Sequence, residues 1–136
     1  MSADRVVIVV TAAVIERDGR LLVSRRLEGT HLGGLWEFPG GKCDPGETIV
    51  SCLTRELQEE LGVSSTIGDE ILVTEHAYPE RTVRLHFHHA TIVGDPQPLI
   101  GQELRWITRA DLGTLPFPEA DSELILRLTE APGSGD

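Results

Sequence analysis

Glu56, Glu59 and Glu60 follow one another at spacing i, i+3, i+4. In a helix, where each residue turns the chain by 100°, they share one side. Like charges so placed repel one another, and Arg55 is the one cation nearby to offset them. A purely solvated face would gain from interspersed lysines. Three carboxylates on one side gain instead from a hard divalent cation held between their oxygens. Mg²⁺ takes oxygen ligands in an octahedron and keeps waters or substrate phosphates in the remaining positions. The competing reading is an ordinary solvated face, because Glu favours helices.

The helix that must carry these groups is legible. Ile49, Leu53, Leu57 and Leu61 recur every four residues and Gly62 follows, so the pattern predicts an amphipathic helix over Glu47–Leu61 with a glycine stop. Upstream, Val6–Ile15 is rich in β-branched residues, and Arg20–Arg26 resumes the same character after Asp18-Gly19, which predicts a β-hairpin. A Gly-rich stretch from His31 to Gly41 and a loop from Lys42 to Gly46 lead into the helix. Downstream, Val83, Leu85 and Phe87 alternate with Arg84, His86 and His88, the period of a half-buried strand with solvent-facing histidines. Leu104–Thr108 reads as a short strand. Glu119–Glu130, with Leu124, Ile125 and Leu128 on one face, reads as a closing helix. The expectation is one α/β (α+β) domain over residues 1–130, a mixed β-sheet sandwiched between helices, with residues 131–136 as a frayed tail.

Composition narrows the partners. With 22 acidic against 12 basic residues the formal charge is −10, a poor footprint for duplex nucleic acid or an anionic membrane. A nucleotide remains accessible where carboxylate-held cations reverse the local sign. Aromatic residues make up only 4%, so Trp36 and Trp106 are as suited to the core as to stacking a base. Cys43 and Cys52 are the only cysteines; two are too few for a disulfide framework and lack zinc-like partners, so free thiols in a cytoplasmic protein are expected. The apolar run Val6–Ile15 is far shorter than the roughly 20 residues of a membrane span. His76, His86, His88 and His89 supply no evident set of three or four zinc ligands. Monomer and homodimer both stand, since nothing in the sequence bears on assembly.

The run Gly41-x5-Glu47-x7-Arg55-Glu56-Leu57-x-Glu59-Glu60-x-Gly62-Val63 resembles the Nudix box at every defined position. Nine constrained positions at fixed spacing arise by accident on the order of once in 10⁹ starts. Leu35-Trp36-Glu37-Phe38-Pro39-Gly40-Gly41-Lys42, just upstream, is similar to the corresponding run in MutT-type nucleoside triphosphate pyrophosphohydrolases. The resemblance implies a Mg²⁺ site, with Mn²⁺ as a substitute, built from Glu56, Glu59, Glu60 and a backbone carbonyl at Gly40–Gly41. It implies Glu56 as metal ligand and water activator, with Arg55 and Glu47 bracing the loop. It further implies hydrolysis of a nucleoside triphosphate to the monophosphate and pyrophosphate, a nucleotide-pool sanitation activity.

Three further positions carry weaker expectations. An extra acidic ligand of some relatives falls here on Ile100, which cannot coordinate, and Glu103 is the nearest candidate. Arg25 resembles a phosphate-contacting position, and Phe117 to Asp121 resembles a base-reading segment. An ionised Asp121 only accepts hydrogen bonds and so suits an exocyclic amine such as that of cytosine; its rival use is as a helix cap, in competition with Ser122. An oxidised purine nucleotide such as 8-oxo-dGTP and a (d)CTP-type nucleotide both remain as substrates. Other readings are a Nudix hydrolase of ADP-ribose, dinucleoside polyphosphates or RNA caps, and a Nudix-like binding module without activity, which the intact box disfavours.

Overall fold

The computed structural model describes residues 6–25 and 33–130. Arg26, His31, Leu32 and the tail 131–136, named above, lie outside the described residues.

Strand β1, Val6–Arg17, organises everything else. Asp18 and Gly19 both take positive φ, 55° and 77°, the mirror-image turn that matches strand twist, and β2, Arg20–Arg25, returns antiparallel to β1. Two short strands follow, β3 (Trp36–Glu37) against β2 and β4 (Gly40–Lys42) against β1. Helix α1, Ile49–Leu61, comes next. Then β5, Ser64–Ala77, and β6, Arg81–Val93, form a long antiparallel pair, and β6 lies parallel to β1. Strand β7, Glu103–Ile107, pairs with β2. A 3-10 turn over Arg109–Thr114, another over Glu119–Asp121 and helix α2, Ser122–Glu130, close the chain.

Alternation along β1 builds two cores at once. Ala12 and Val14 point into a cluster with Leu21, Val23, Phe38, Phe87, Leu112, Leu124 and Leu128, on the α2 side. Ala13 and Ile15 point the other way, onto Leu53, Leu57 and Leu61 of α1. The sheet is therefore covered on both faces, the helix–sheet–helix arrangement expected from the element order.

Helix α1 begins later than periodicity alone predicts, at Ile49, because Thr48 caps it. The Thr48 hydroxyl accepts from Ser51 N–H, and the Ser51 hydroxyl accepts from Thr48 N–H, each near 3 Å. It ends at Gly62 in the left-handed region, φ 70°, as the glycine predicted. The orphan carbonyls of its last turn are met from afar: Gln97 N–H donates to Leu61, while Leu99 N–H and the Gln102 amide both donate to Glu60.

Several expectations change. Strand β5 was not foreseen, because exposed polar residues interrupt its alternation and its register shifts twice, around Glu70. The histidine face of β6 is not open to solvent. His88 is 9% exposed, because residues in register with Ala13 face α1. Trp36 is core and Trp106 packs against the second core, which bears out the core alternative for both. The closing helix divides into the 3-10 turn and α2, with α2 starting at Ser122. Finally, Cys43 and Cys52 are joined in a disulfide and are not free thiols. Cys43 N–H is bound to Val9 of β1 and Cys52 lies in the first turn of α1 over Thr11, so the loop doubles back until their Cα atoms are 5.3 Å apart. The thiol argument for a cytoplasmic location thereby loses its premise. Among the described residues, no helix is long and apolar enough to cross a membrane.

Candidate active site

The carboxylates emerge where α1 crosses the β4 turn. Gly40 and Gly41 pair with Ala12 and Thr11 of β1, and the backbone there runs too close to its neighbours for side chains. A Cβ on Gly40 would fall 2.7 Å from Ala12 Cα; one on Gly41 would fall 2.5 Å from the Glu56 carboxyl carbon and 2.8 Å from Oε2. Glycine at 41 thus leaves the space in which the Glu56 carboxylate lies, directly on the turn.

The three acids differ in setting. Glu56 keeps only 12% of its side chain exposed, against 56% for Glu59. Glu60 is pushed up to about 8, first by burial, then by the charge of Glu56 and a hydrogen bond shared with it, and next by the charge of Glu37. A hydrogen bond from Gly40 N–H opposes this shift. Burial and a neighbouring like charge both disfavour the ionised form, so the two causes act in the same direction on Glu60.

Arg55 ties the loop to the helix. Its Nε and Nη2 donate to the two oxygens of Glu47, at 2.7 and 2.9 Å, a bidentate pair. Nη2 also donates to the Lys42 carbonyl at 3.2 Å, while Nη1 donates to Glu56 and Glu59, both at 3.1 Å. Glu47 accepts in turn from Asp44 N–H at 2.8 Å, and its carboxyl is lowered to about 2, chiefly by the Arg55 hydrogen bond. One guanidinium therefore positions the loop and two acids together.

Of the residues expected from sequence, the structure gathers Gly40, Gly41, Glu47, Arg55, Glu56, Glu59 and Glu60. Glu103 lies on β7 opposite Arg25, with its carboxylate 3.5 Å from Arg25 and 3.0 Å from Arg105. The further acid whose charge Glu60 feels is Glu37 of β3, a residue of the Trp-Glu-Phe-Pro run to which sequence alone assigned no role. Ile100 is exposed, in the segment that caps α1. Phe117 stacks on Phe38, with ring centres 5.5 Å apart, and Phe38 lies two residues before Gly40. Asp121 is buried, ending the 3-10 turn that leads into α2. A concavity of about 640 Å³ between Val6–Val9 and the Lys42–Ile49 loop contains none of the three acids, so the site is located by its carboxylate chemistry.

A helix presenting acids over a glycine turn, on a sheet covered by helices on both faces, gathers the oxygen donors that a hard divalent cation takes. The NUDIX domain profile matches residues 10–127, and the chain belongs to that family. It is 37% identical to the CTP pyrophosphohydrolase of Escherichia coli K12, over 85% of this chain and 87% of that protein. It is 35% identical to the 8-oxo-dGTP diphosphatase of Haemophilus influenzae, over 92% and 93%. Among solved structures, the E. coli ORF135 protein superposes with a TM-score of 0.82 at 36% identity, covering 90% of this chain and 88% of that one. The MutT protein of Methanosarcina mazei superposes with a TM-score of 0.81 at 25% identity, covering 93% and 96%.

Proposed function

We propose that this chain is a Mg²⁺-dependent, MutT-like nucleoside triphosphate pyrophosphohydrolase that turns NTP and water into NMP and pyrophosphate. The observation that carries the reading is the Glu56–Glu60 carboxyl pair against the Gly40–Gly41 turn, with Arg55 fastened to both loop and helix. The donor set fits a hard cation: all oxygen, and crowded, so that a divalent ion would relieve the repulsion. Glu56, Glu59, Glu60 and a carbonyl of the Gly40–Gly41 turn would hold Mg²⁺, with Mn²⁺ as a substitute. When bound, the ion neutralises the polyphosphate and acidifies a water. The chain's own contribution is positioning. Glu56, the least exposed of the Arg55-linked acids, takes the proton of the attacking water as the α–β anhydride opens, and Arg55 keeps that carboxylate on the turn.

For the base, the acceptor Asp121 supports a cytosine nucleotide, whose exocyclic amine donates. The identity to a CTP pyrophosphohydrolase supports the same choice. The test is a panel of CTP, dCTP, 8-oxo-dGTP, the common triphosphates and ADP-ribose with Mg²⁺, scoring pyrophosphate against orthophosphate. Cytosine triphosphates should lead, with pyrophosphate as product. Cleavage of ADP-ribose with every triphosphate inert would overturn the proposal. Glu56→Gln should lower kcat by about 10²–10⁴-fold, the range for a lost general base, with an unchanged circular dichroism spectrum.

A further inference from the structure

We propose that Glu70, His86 and His88 form a second metal site, separate from the acidic one, for a zinc-class divalent ion. The site lies on the β5–β6 pair, where the shifts in register leave Glu70 directly opposite His88. His86 and His88 are two apart on β6 and so share a face, the one towards α1. One carboxylate oxygen, Glu70 Oε1, lies 2.9 Å from His86 Nδ1 and 3.4 Å from His88 Nε2. The three donor atoms fall within 4.8 Å of one another.

The argument turns on His88. Its Nδ1 lies 2.9 Å from the carbonyl oxygen of Gly68. A carbonyl only accepts, so Nδ1 donates to it, which leaves Nε2 as the ring atom turned towards Glu70. That Nε2 is buried and has no hydrogen-bond partner among the described residues. What it faces is the Glu70 carboxylate oxygen. A buried imidazole nitrogen without a hydrogen bond, set 3.4 Å from a half-exposed carboxylate oxygen, is a donor pair that a cation can bridge. A backbone carbonyl fixing the far nitrogen is also the arrangement that orients metal-bound histidines.

The spacing suits an ion. With metal–ligand distances of about 2.0–2.1 Å, the Glu70 oxygen and each imidazole nitrogen, 2.9 and 3.4 Å apart, subtend roughly 90° and 110° at the metal, and the two nitrogens lie within 4.8 Å of each other. Two imidazoles and one carboxylate select zinc and its neighbours over Mg²⁺, which prefers oxygen. Thr11 of β1 is in register with Gly41 on one side and His86 on the other. The two sites are thus two strand spacings apart, about 10 Å. Glu70 is 44% exposed, leaving a route for the ion to enter.

The test uses the full chain, stripped with chelator and titrated with Zn²⁺ by calorimetry in millimolar Mg²⁺. Metal content is read by mass spectrometry. Glu56→Gln/Glu60→Gln, which disables the acidic site, should still bind one equivalent of zinc and melt at a higher temperature with it. Introduced into that background, His88→Gln, His86→Gln and Glu70→Gln should each weaken zinc binding by at least tenfold. His86 and Glu70 are more exposed than His88, so their variants serve even if His88→Gln fails to fold. If the acidic-site variant binds no zinc, or binds it undiminished after His86→Gln and Glu70→Gln, the proposal is wrong and a proton alone bridges His88 and Glu70.

Discussion

Replacing Gly41 by alanine should cripple turnover while leaving the fold standing, whereas Gly40→Ala should unseat the fold itself. At 41 the new methyl carbon would meet the Glu56 carboxylate, 2.5 Å from Cδ and 2.8 Å from Oε2. Carbon atoms sit comfortably at about 3.5–4.0 Å, so the carboxylate must retreat by roughly 1 Å. It ends a rotatable side chain, and an off-rotamer adjustment costs only about 0.5–1.5 kcal/mol. The same 1 Å at a reacting group costs about 10²-fold in rate. At 40 the methyl would meet Ala12 Cα at 2.7 Å and the Thr11 carbonyl carbon at 2.8 Å. Neither can rotate away, and the β1–β4 pairing that seats the turn, together with the Ala13 N–H to Pro39 bond, would have to part.

Steady-state kinetics on the preferred triphosphate and thermal melting separate the two. Gly41→Ala should lose about 10²-fold in kcat, with Tm lower by only a few degrees. Gly40→Ala should reach the upper end of the ~1–3 kcal/mol range for overpacking, or beyond it, with a Tm loss of about 10 °C or no soluble protein. If Gly41→Ala keeps kcat within about threefold of the parent, the contact between the turn and Glu56 does not position the base, and the reasoning from the missing Cβ fails. Equal melting losses in the two variants would refute the distinction between a movable carboxylate and an immovable strand.

Three other outcomes follow from the same geometry. Glu60, raised to about 8 in the fold from an ordinary value of 4.5, binds more protons folded than unfolded between those two pH values, so its contribution to stability is lost as pH rises across that window. Metal-free protein should therefore lose up to a few kcal/mol from this group between pH 5 and 8, a slope that Glu60→Gln removes, measured by urea melts at each pH. Arg55→Lys keeps the charge but not the fork that grips Glu47 while reaching Glu56 and Glu59, so kcat or Mg²⁺ affinity should fall roughly 10–100-fold. Asp121→Asn adds a donor where there was only an acceptor and should shift kcat/KM away from cytosine towards bases offering a carbonyl; an unchanged ranking would reduce Asp121 to a structural role.

What could be read from sequence was whatever is written within a few residues. The acids at 56, 59 and 60, the leucines at 53, 57 and 61 and the stop at Gly62 are helical-period information, and the structure keeps all of them on one helix. The Asp18-Gly19 turn is local in the same sense. What was missed depends on residues distant along the chain. Glu37 reaches Glu60 only because β3 leads into the glycine turn; Cys43 meets Cys52 only because the loop doubles back. Strand β5 carries a bulge and a half-exposed face, which erase the period-two signal. Glu70 was therefore invisible as a partner for His86 and His88, although both histidines were in view.

Helix α1 also shows where the site works against the helix that bears it. Its first turn has no acid and its last turn no base, whereas helix dipoles favour acids early and bases late. Glu56, Glu59 and Glu60 instead crowd the half where the dipole opposes them and where they repel one another. The helix holds because its ends and its buried face are secured independently: the Thr48–Ser51 capping box, the left-handed Gly62, and Leu53, Leu57 and Leu61 fully buried against the sheet. Arg55, placed one residue before the first of these acids, is the cation that makes the arrangement tolerable before any metal arrives. A helix built only for stability would have spread those charges; one that must gather a cation over a glycine turn has to concentrate them, and the departure from local rules marks the site.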